Sequence, residues 1–197
     1  SVILMKFNLI LLLLIAFNNI KADSINEYSA KYFYKSDEIS IKGIRKLEIR
    51  DGKYSLNFKA KNLLASMRVG SEFNINEGVL KTNSYNIRVK PSFVNRDQDI
   101  KFDYIANIIE STGREEWEED LDTSGEILDP LNAQIKIRIN LISGLEKFSI
   151  NLLEIESGKV EENFYEVVGK EVFTFNEIDY ECIKLKRIRE TDDRETI

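Results

Sequence analysis

Four glycine-centred turns punctuate this chain: Arg50-Asp51-Gly52-Lys53, Asn76-Glu77-Gly78-Val79, Ser111-Thr112-Gly113-Arg114 and Glu156-Ser157-Gly158-Lys159. Each lies between segments rich in β-branched and aromatic residues. Glycine takes positive φ without the clash that a Cβ brings, and tight hairpin turns demand that geometry. Asp51-Gly52 is the strongest signal of the four. The flanking segments alternate as strands do. Tyr28, Ala30, Tyr32 and Tyr34 fall on one face, with Ser29, Lys31, Phe33 and Lys35 on the other. Tyr54, Leu56 and Phe58 alternate with Ser55, Asn57 and Lys59, and the pattern continues through Ile150 and Leu152, through Phe164, Val167 and Val168, and through Ile183, Leu185 and Ile188. Between Ile39 and Arg50 the alternation slips at Gly43, which predicts a β-bulge. The spacing accommodates about eleven strands. So many successive hairpins must curl, and the expected fold is mainly β, a curved antiparallel meander (barrel or half-barrel) wrapping one α-helix.

The helix is expected from Asp129 to Ser143. Asp129 stands as a capping acid before Pro130 at a first helical position, and Gly144 supplies the stop. Leu128, Leu131, Ile135, Ile139 and Ile142 follow near helical spacing. A rival strand reading rests on the alternation of Ile135, Ile137, Ile139 and Leu141. Leu63-Leu64-Ala65-Ser66-Met67 reads as a short helical turn between strands.

Residues 5–22 carry an address. Lys6 precedes the apolar run Leu9 to Phe17, which is too short to span a bilayer, and Ile20-Lys21-Ala22 offers a small-residue exit. Residues 1–22 therefore read as a signal peptide cleaved after Ala22, with possible non-native residues before Met5, and 23–197 as a single β-rich domain of an envelope protein. After residue 22 no apolar stretch reaches the ~18 residues of a transmembrane helix.

The 197-residue chain has 28 basic and 34 acidic side chains, for a net charge of −6. That balance argues against nucleic acid as a partner, because affinity there comes from neutralised phosphates. Cys182 is the single cysteine, so no internal disulfide forms, and histidine is absent. Without imidazole, Ser-His-Asp and Cys-His catalysis and His-ligated zinc are excluded. No catalytic residue, cofactor or metal is expected.

The chain also resembles a known family. The Tyr-Ser-Ala-Lys-Tyr strand starting at Tyr28, Leu63 to Met67, Ser71-Glu72-Phe73, Lys101 to Tyr104, Leu128-Asp129-Pro130-Leu131 and Tyr165 to Glu171 are similar to a bacterial exported family catalogued as domain of unknown function 3108. The resemblance runs from about residue 27 to the end. It implies a periplasmic or envelope-associated β-rich protein and transfers no catalytic residue. Members of that family continue beyond the strand matching Tyr180 to Arg189, so this sequence is expected to be truncated at its C-terminus.

Four features are candidate sites. Glu115-Glu116-Trp117-Glu118-Glu119-Asp120 would offer carboxylates to Ca²⁺ or to glycoside hydrolysis, or else form a solvated hairpin arm anchored by Trp117. Tyr28, Tyr32, Phe33 and Tyr34 would line a groove for a sugar or acyl chain, or pack in the core. Cys182 would be a reactive thiolate or an inert buried thiol. Arg45, Lys46, Arg50 and Lys53 form a small basic patch for a lipid phosphate or acidic glycan, or solvated strand ends.

The expected function is that of an exported, non-enzymatic binding or carrier module for a lipophilic small molecule. The alternative is a structural or interaction protein that pairs with an envelope protein through its sheet edges. If the leader is cleaved as read, N-terminal sequencing of the exported protein begins at Asp23.

Overall fold

The computed structural model describes residues 25–35, 40–62, 65–91, 96–122 and 124–188. The leader with its Ala22 exit, Leu63 and Leu64, and the tail after Ile188 lie outside the described residues. The element order is β1 (Tyr28–Lys35), β2 (Ser40–Arg50), β3 (Lys53–Lys61), β4 (Ser66–Asn76), β5 (Val79–Lys90), β6 (Gln98–Asp103), β7 (Ile108–Gly113), β8 (Trp117–Asp120), α1 (Ala133–Ile142), β9 (Lys147–Leu153), β10 (Val160–Phe175) and β11 (Ile178–Ile188).

Strands β1 to β8 form one antiparallel meander in sequence order, and β11-β10-β9 form a second, three-stranded sheet. The fold is the mainly β, curved antiparallel meander around one helix that the turns predict. The large sheet stays open. Asp51-Gly52 and Glu77-Gly78 both take positive φ at their two central residues, the twist-matching geometry of two-residue hairpins. Asn176-Glu177 does the same between β10 and β11 without a glycine, at φ 49 and 65.

The predicted bulge at Gly43 is absent: β2 keeps its register through Tyr32↔Gly43 and Gly43↔Ala60. Gly43 serves a different purpose, since a Cβ there would lie 2.9 Å from the Phe58 ring. A bulge lies instead between β4 and β5, where Glu72 pairs with Ser84 but Phe73 with Thr82, leaving Asn83 as the extra residue, and β10 shifts register against β11 between Val167 and Gly169. Ser66 and Met67 belong to β4 rather than to a helical turn, and Asn62 with Ala65 closes the β3–β4 connection.

The helix reading holds over the strand reading, with a later start. α1 begins at Ala133, and Pro130 to Asn132 form a lead-in turn. Asp129 still caps that turn: its Oδ1 accepts the N–H groups of Leu131 and Asn132, each at 2.8 Å. Gly144, at φ 78, ends the helix as expected.

Both sheets and the connecting segment share one core. Leu47, Leu56, Phe73, Ile100 and Ile109 from the large sheet meet Leu128, Ile135, Ile150 and Leu153, all nearly or fully buried. Residues 126–136 run across the inner face of β4 and β5. Thr82 Oγ1 donates to Ile127 O at 2.7 Å, and Lys136 Nζ reaches Gly78 O at 2.9 Å and Glu126 Oε2 at 2.8 Å. Glu126 in turn accepts the Leu80 N–H. The same segment forms a parallel bridge to β9 at Leu128↔Leu152, so it is the seam between the two sheets.

Gly158 shows how tightly the turn after β9 seats on β8. Its φ is +76, and a Cβ would fall 2.6 Å from Trp117 Cε3 and 2.7 Å from Glu119 Cγ. Gly144 has a similar φ of +78 but open space around it. Gly158→Ala is therefore expected to cost about 2–4 kcal/mol, and Gly144→Ala about 1 kcal/mol. Urea unfolding checks this, and equal losses would show that the contact with Trp117 is not tight.

Candidate functional site

The inner face is closed by polar bonds as well as by apolar packing. Asp129, Ser71, Thr82 and Asn132 are all buried. Ser71 Oγ donates to Asp129 Oδ2 at 2.6 Å, and Asn132 Nδ2 donates to Thr82 Oγ1 at 2.9 Å. Burial pushes the Asp129 carboxyl up to about 7, against the pull of its three hydrogen-bond donors. Burial also raises Tyr85, with the charge of Asp129 adding to it, and raises Tyr104 to about 12. A serine beside a carboxylate without imidazole, both sealed from solvent, is a structural clasp rather than a reactive pair.

The sequence candidates divide on this frame. Trp117 is the packing anchor of the acidic run: it lies half-buried against the core, and its Nε1 donates to Ile155 O at 3.0 Å. Gln98 Nε2 donates to the same carbonyl at 2.8 Å. Glu116, Glu118, Glu119 and Asp120 are exposed along or beside the edge strand β8. No group of three or more metal-ligating side chains occurs among the described residues.

The tyrosine cluster is split by the strand. Tyr28 packs against the core, Tyr32 stands edge-on to Phe58 at 6.0 Å, and Phe33 points to the outer face, 63% exposed. The expected basic patch does not assemble. Arg45 turns inward over the Tyr32 ring at 4.9 Å, while Lys46 and Arg50 both pair with Glu48, at 2.9 and 3.3 Å. Cys182 is partly exposed on β11.

A larger basic surface forms where the sequence signals nothing. Strand register sets Lys31, Ile44, Lys59, Arg68 and Arg88 opposite one another in one row across β1 to β5. The next outer row is Phe33, Lys42, Lys61, Ser66 and Lys90. Arg88 is bound by both carboxylate oxygens of Asp99, at 2.6 and 2.8 Å. Lys42, Lys59, Lys61 and Arg68 have no ion-pair partner among the described residues. Like charges directly opposite across strands are destabilising, so this arrangement works against the fold.

At this end of the sheet lies a groove of about 620 Å³, within the range of small-ligand sites. Its outward apolar side chain is Ile44, with Ala60 and Met67, which alternate toward the inner face, also in its lining. Its basic part is Lys42, Lys59, Lys61, Arg68, Arg88 and Lys90, and Asp97 is its acid. Ile44 and Met67 are 49% and 39% exposed. A second groove of about 640 Å³, lined by Glu48, Arg50, Asp51, Lys53 and Glu72 among others, has charges of both signs.

The basic rows escape sequence reading because their members are spread from residue 31 to residue 90. Folding the chain about Asp51-Gly52 alone would have set Lys42 against Lys61. Among the described residues, no helix is long and apolar enough to cross a membrane. Compared with protein-family models, with curated proteins and with solved structures, the chain matches none.

The buried carboxyl gives a pH dependence with a definite sign. Its folded-state value of about 7 lies above the unfolded value near 3.8, so between them the native state binds more protons. Stability is then greatest at low pH in this window and falls as pH rises through about 7, by on the order of 2–4 kcal/mol. Asp129→Asn retains an acceptor for the two N–H groups and can donate to Ser71, mimicking the protonated acid. It is expected to match the wild type near pH 4.5 and exceed it at pH 8. Urea titrations at both pH values check this, and an Asn variant weaker at pH 8 would reverse the assignment.

Proposed function

We propose that this protein is an exported, non-enzymatic binding module whose ligand is an anionic amphiphile, held in the outer-face groove at the end of β2 to β5. The leader-like residues 1–22 and the likeness to an exported family support the compartment. The observation that carries the reading is the groove itself. It joins exposed Ile44 to Lys42, Lys59, Lys61 and Arg68 on the same face of the sheet, and these four cations have no ion-pair partner among the described residues. An anionic headgroup relieves the repulsion between facing cations, and a chain laid over Ile44 removes its apolar surface from water. The inner face is filled by Leu128, Leu131 and Ile135, which favours the outside of the sheet over its inside for a lipophilic ligand.

Dodecyl phosphate is the probe, with inorganic phosphate and dodecyl maltoside as controls, measured by calorimetry at two salt concentrations. Dodecyl phosphate is expected to bind tightest, more weakly at high salt. The double variant Lys59→Glu, Arg68→Glu should lose at least about tenfold in affinity with its melting temperature unchanged, as reversing two exposed charges at an anion site implies. Equal binding of the neutral detergent, or an unaffected double variant, would overturn the reading.

A further inference from the structure

Strand β10 pairs with β9 only through Val160 to Glu166, and beyond that point it has β11 alone. The outer edge of β11 is unpaired among the described residues. From Val167 the two strands form a ribbon roughly 30 Å long at ~3.3 Å per residue. A two-stranded ribbon is marginal in water by itself. This one also exposes apolar side chains at both ends of one face: Phe175 and Ile178 at the tip, Phe164 and Ile188 at the base, between 46% and 57% exposed.

The charge pattern along β11 indicates what covers the edge. Asp179 and Glu181 lie in its first half, and Lys184, Lys186 and Arg187 in its second. Such a strand is complementary to itself when reversed. Acidic neighbours at the tip, Glu171, Glu177, Asp179 and Glu181, disfavour an anionic bilayer as the occupant.

We propose that β11 pairs antiparallel with β11 of a second copy about a two-fold axis at Ile183, joining two three-stranded sheets into one of six strands. A two-fold axis normal to the sheet keeps each residue on its own face, so only registers differing by two residues compete. In the register centred on Ile183, Ile183 meets its own counterpart, Ile178 faces the second copy's Ile188, and Asp179 faces its Arg187. Arg187 has no ion-pair partner among the described residues, and Asp179 otherwise accepts from Thr174 Oγ1 at 2.7 Å. Because Phe175 pairs with Ile178, and Phe164 with Ile188, the four exposed apolar residues become one continuous row across four strands. Tyr180 comes to face Lys186, a cation–π partner. Centring on Cys182 instead sets Ile178 against Lys186 and Asp179 against Leu185. Centring on Lys184 pairs Glu181 with Arg187 and Ile183 with Leu185, but at the cost of that lysine facing itself. The central register avoids this, matching apolar to apolar at both ends and Asp179 to Arg187 between them, with Glu181 against Leu185.

This surface belongs to the three-stranded sheet and the groove to the large one, so Lys59→Glu, Arg68→Glu leaves it intact, and the two proposals fail separately. Sedimentation of the full chain tests it. The wild type is expected to dimerise with a dissociation constant on the order of micromolar, as suits a small interface. Asp179→Arg and Arg187→Asp each create facing like charges and should weaken the dimer at least tenfold, and the double swap within one chain should restore it. Asp179→Ala separates loss of the Thr174 contact from repulsion and should weaken the dimer less. In a Cys182→Ser background, mild oxidation should cross-link Ile183→Cys but not Leu185→Cys. Circular dichroism and melting temperature confirm that each variant is folded. A wild type that stays monomeric at 100 μM overturns the proposal, as do a charge swap that fails to restore the dimer and equal cross-linking at positions 183 and 185.

Discussion

Everything in this molecule hangs on how residues 126–132 are fastened to the inner face of β4 and β5. Ser71 and Thr82 are small hydroxyl residues on strands that otherwise bury Phe73 and Leu80. They leave room for a backbone segment and supply the bonds that hold it, through Asp129 Oδ2 and Ile127 O. A buried polar group is costly unless satisfied, so the clasp fixes one position of the segment rather than merely favouring contact. From that position follow the direction of α1, through the cap at Asp129, and the placement of β9, through the bridge at Leu128↔Leu152. The helix and the small sheet are oriented by one carboxylate and two hydroxyls.

Filling the inner face has a consequence for binding. An open, curved sheet suggests a concave lipid site, yet Leu128, Leu131 and Ile135 occupy that side with almost no exposure. The surfaces free to engage a partner are the outer face of the large sheet and the ribbon of β10 and β11. They differ in kind. The outer face carries cations brought together by register, whereas the ribbon carries apolar residues and an open row of backbone donors and acceptors. Such an edge is a standing template for another strand. The charges along β11 restrict which strand fits, since like charges set opposite one another repel.

Local signals in the chain were sufficient for the hairpins at Asp51-Gly52 and Glu77-Gly78, for the helix and for Trp117 as an anchor, because a turn, a cap or an alternating pair is encoded within a few residues. The groove was not legible, and Ile44 shows why. As the residue that breaks the alternation of β2, it suggested a bulge at Gly43. The strand instead runs straight, Gly43 admits the Phe58 ring, and Ile44 faces outward into the groove. A departure from period two has two physical causes, a change of register or an apolar side chain left in solvent, and a single sequence does not separate them. The ribbon was partly legible: Ile183, Leu185 and Ile188 marked a strand, but the turn at Asn176-Glu177 lacks the glycine that identifies such hairpins, so the length of β10 and the exposure of its tip were hidden.

The bulge at Asn83 bears most directly on the basic face. With the pairing set by Glu77-Gly78 continued unbroken, Arg88 would lie opposite Met67, and both it and Lys90 would turn to the inner side. The inserted residue shifts the register by one, so that Arg88 meets Arg68 and Lys90 meets Ser66 on the outside. One residue therefore decides whether two cations are buried beneath the sheet or added to the outer rows. A cation loses hydration on the inner side, so the bulge favours the fold by keeping both charges in water. It does not explain Lys59 and Lys42, whose outward positions come from the unbroken β2–β3 hairpin and which face Ile44 and Lys61 directly. Facing like charges in these rows forgo the roughly 0.2–1 kcal/mol that an opposite-charge pair would contribute. A sheet shaped by stability alone would alternate the signs; here Asp99 answers Arg88, and the excess of positive charge in these rows coincides with the exposed Ile44.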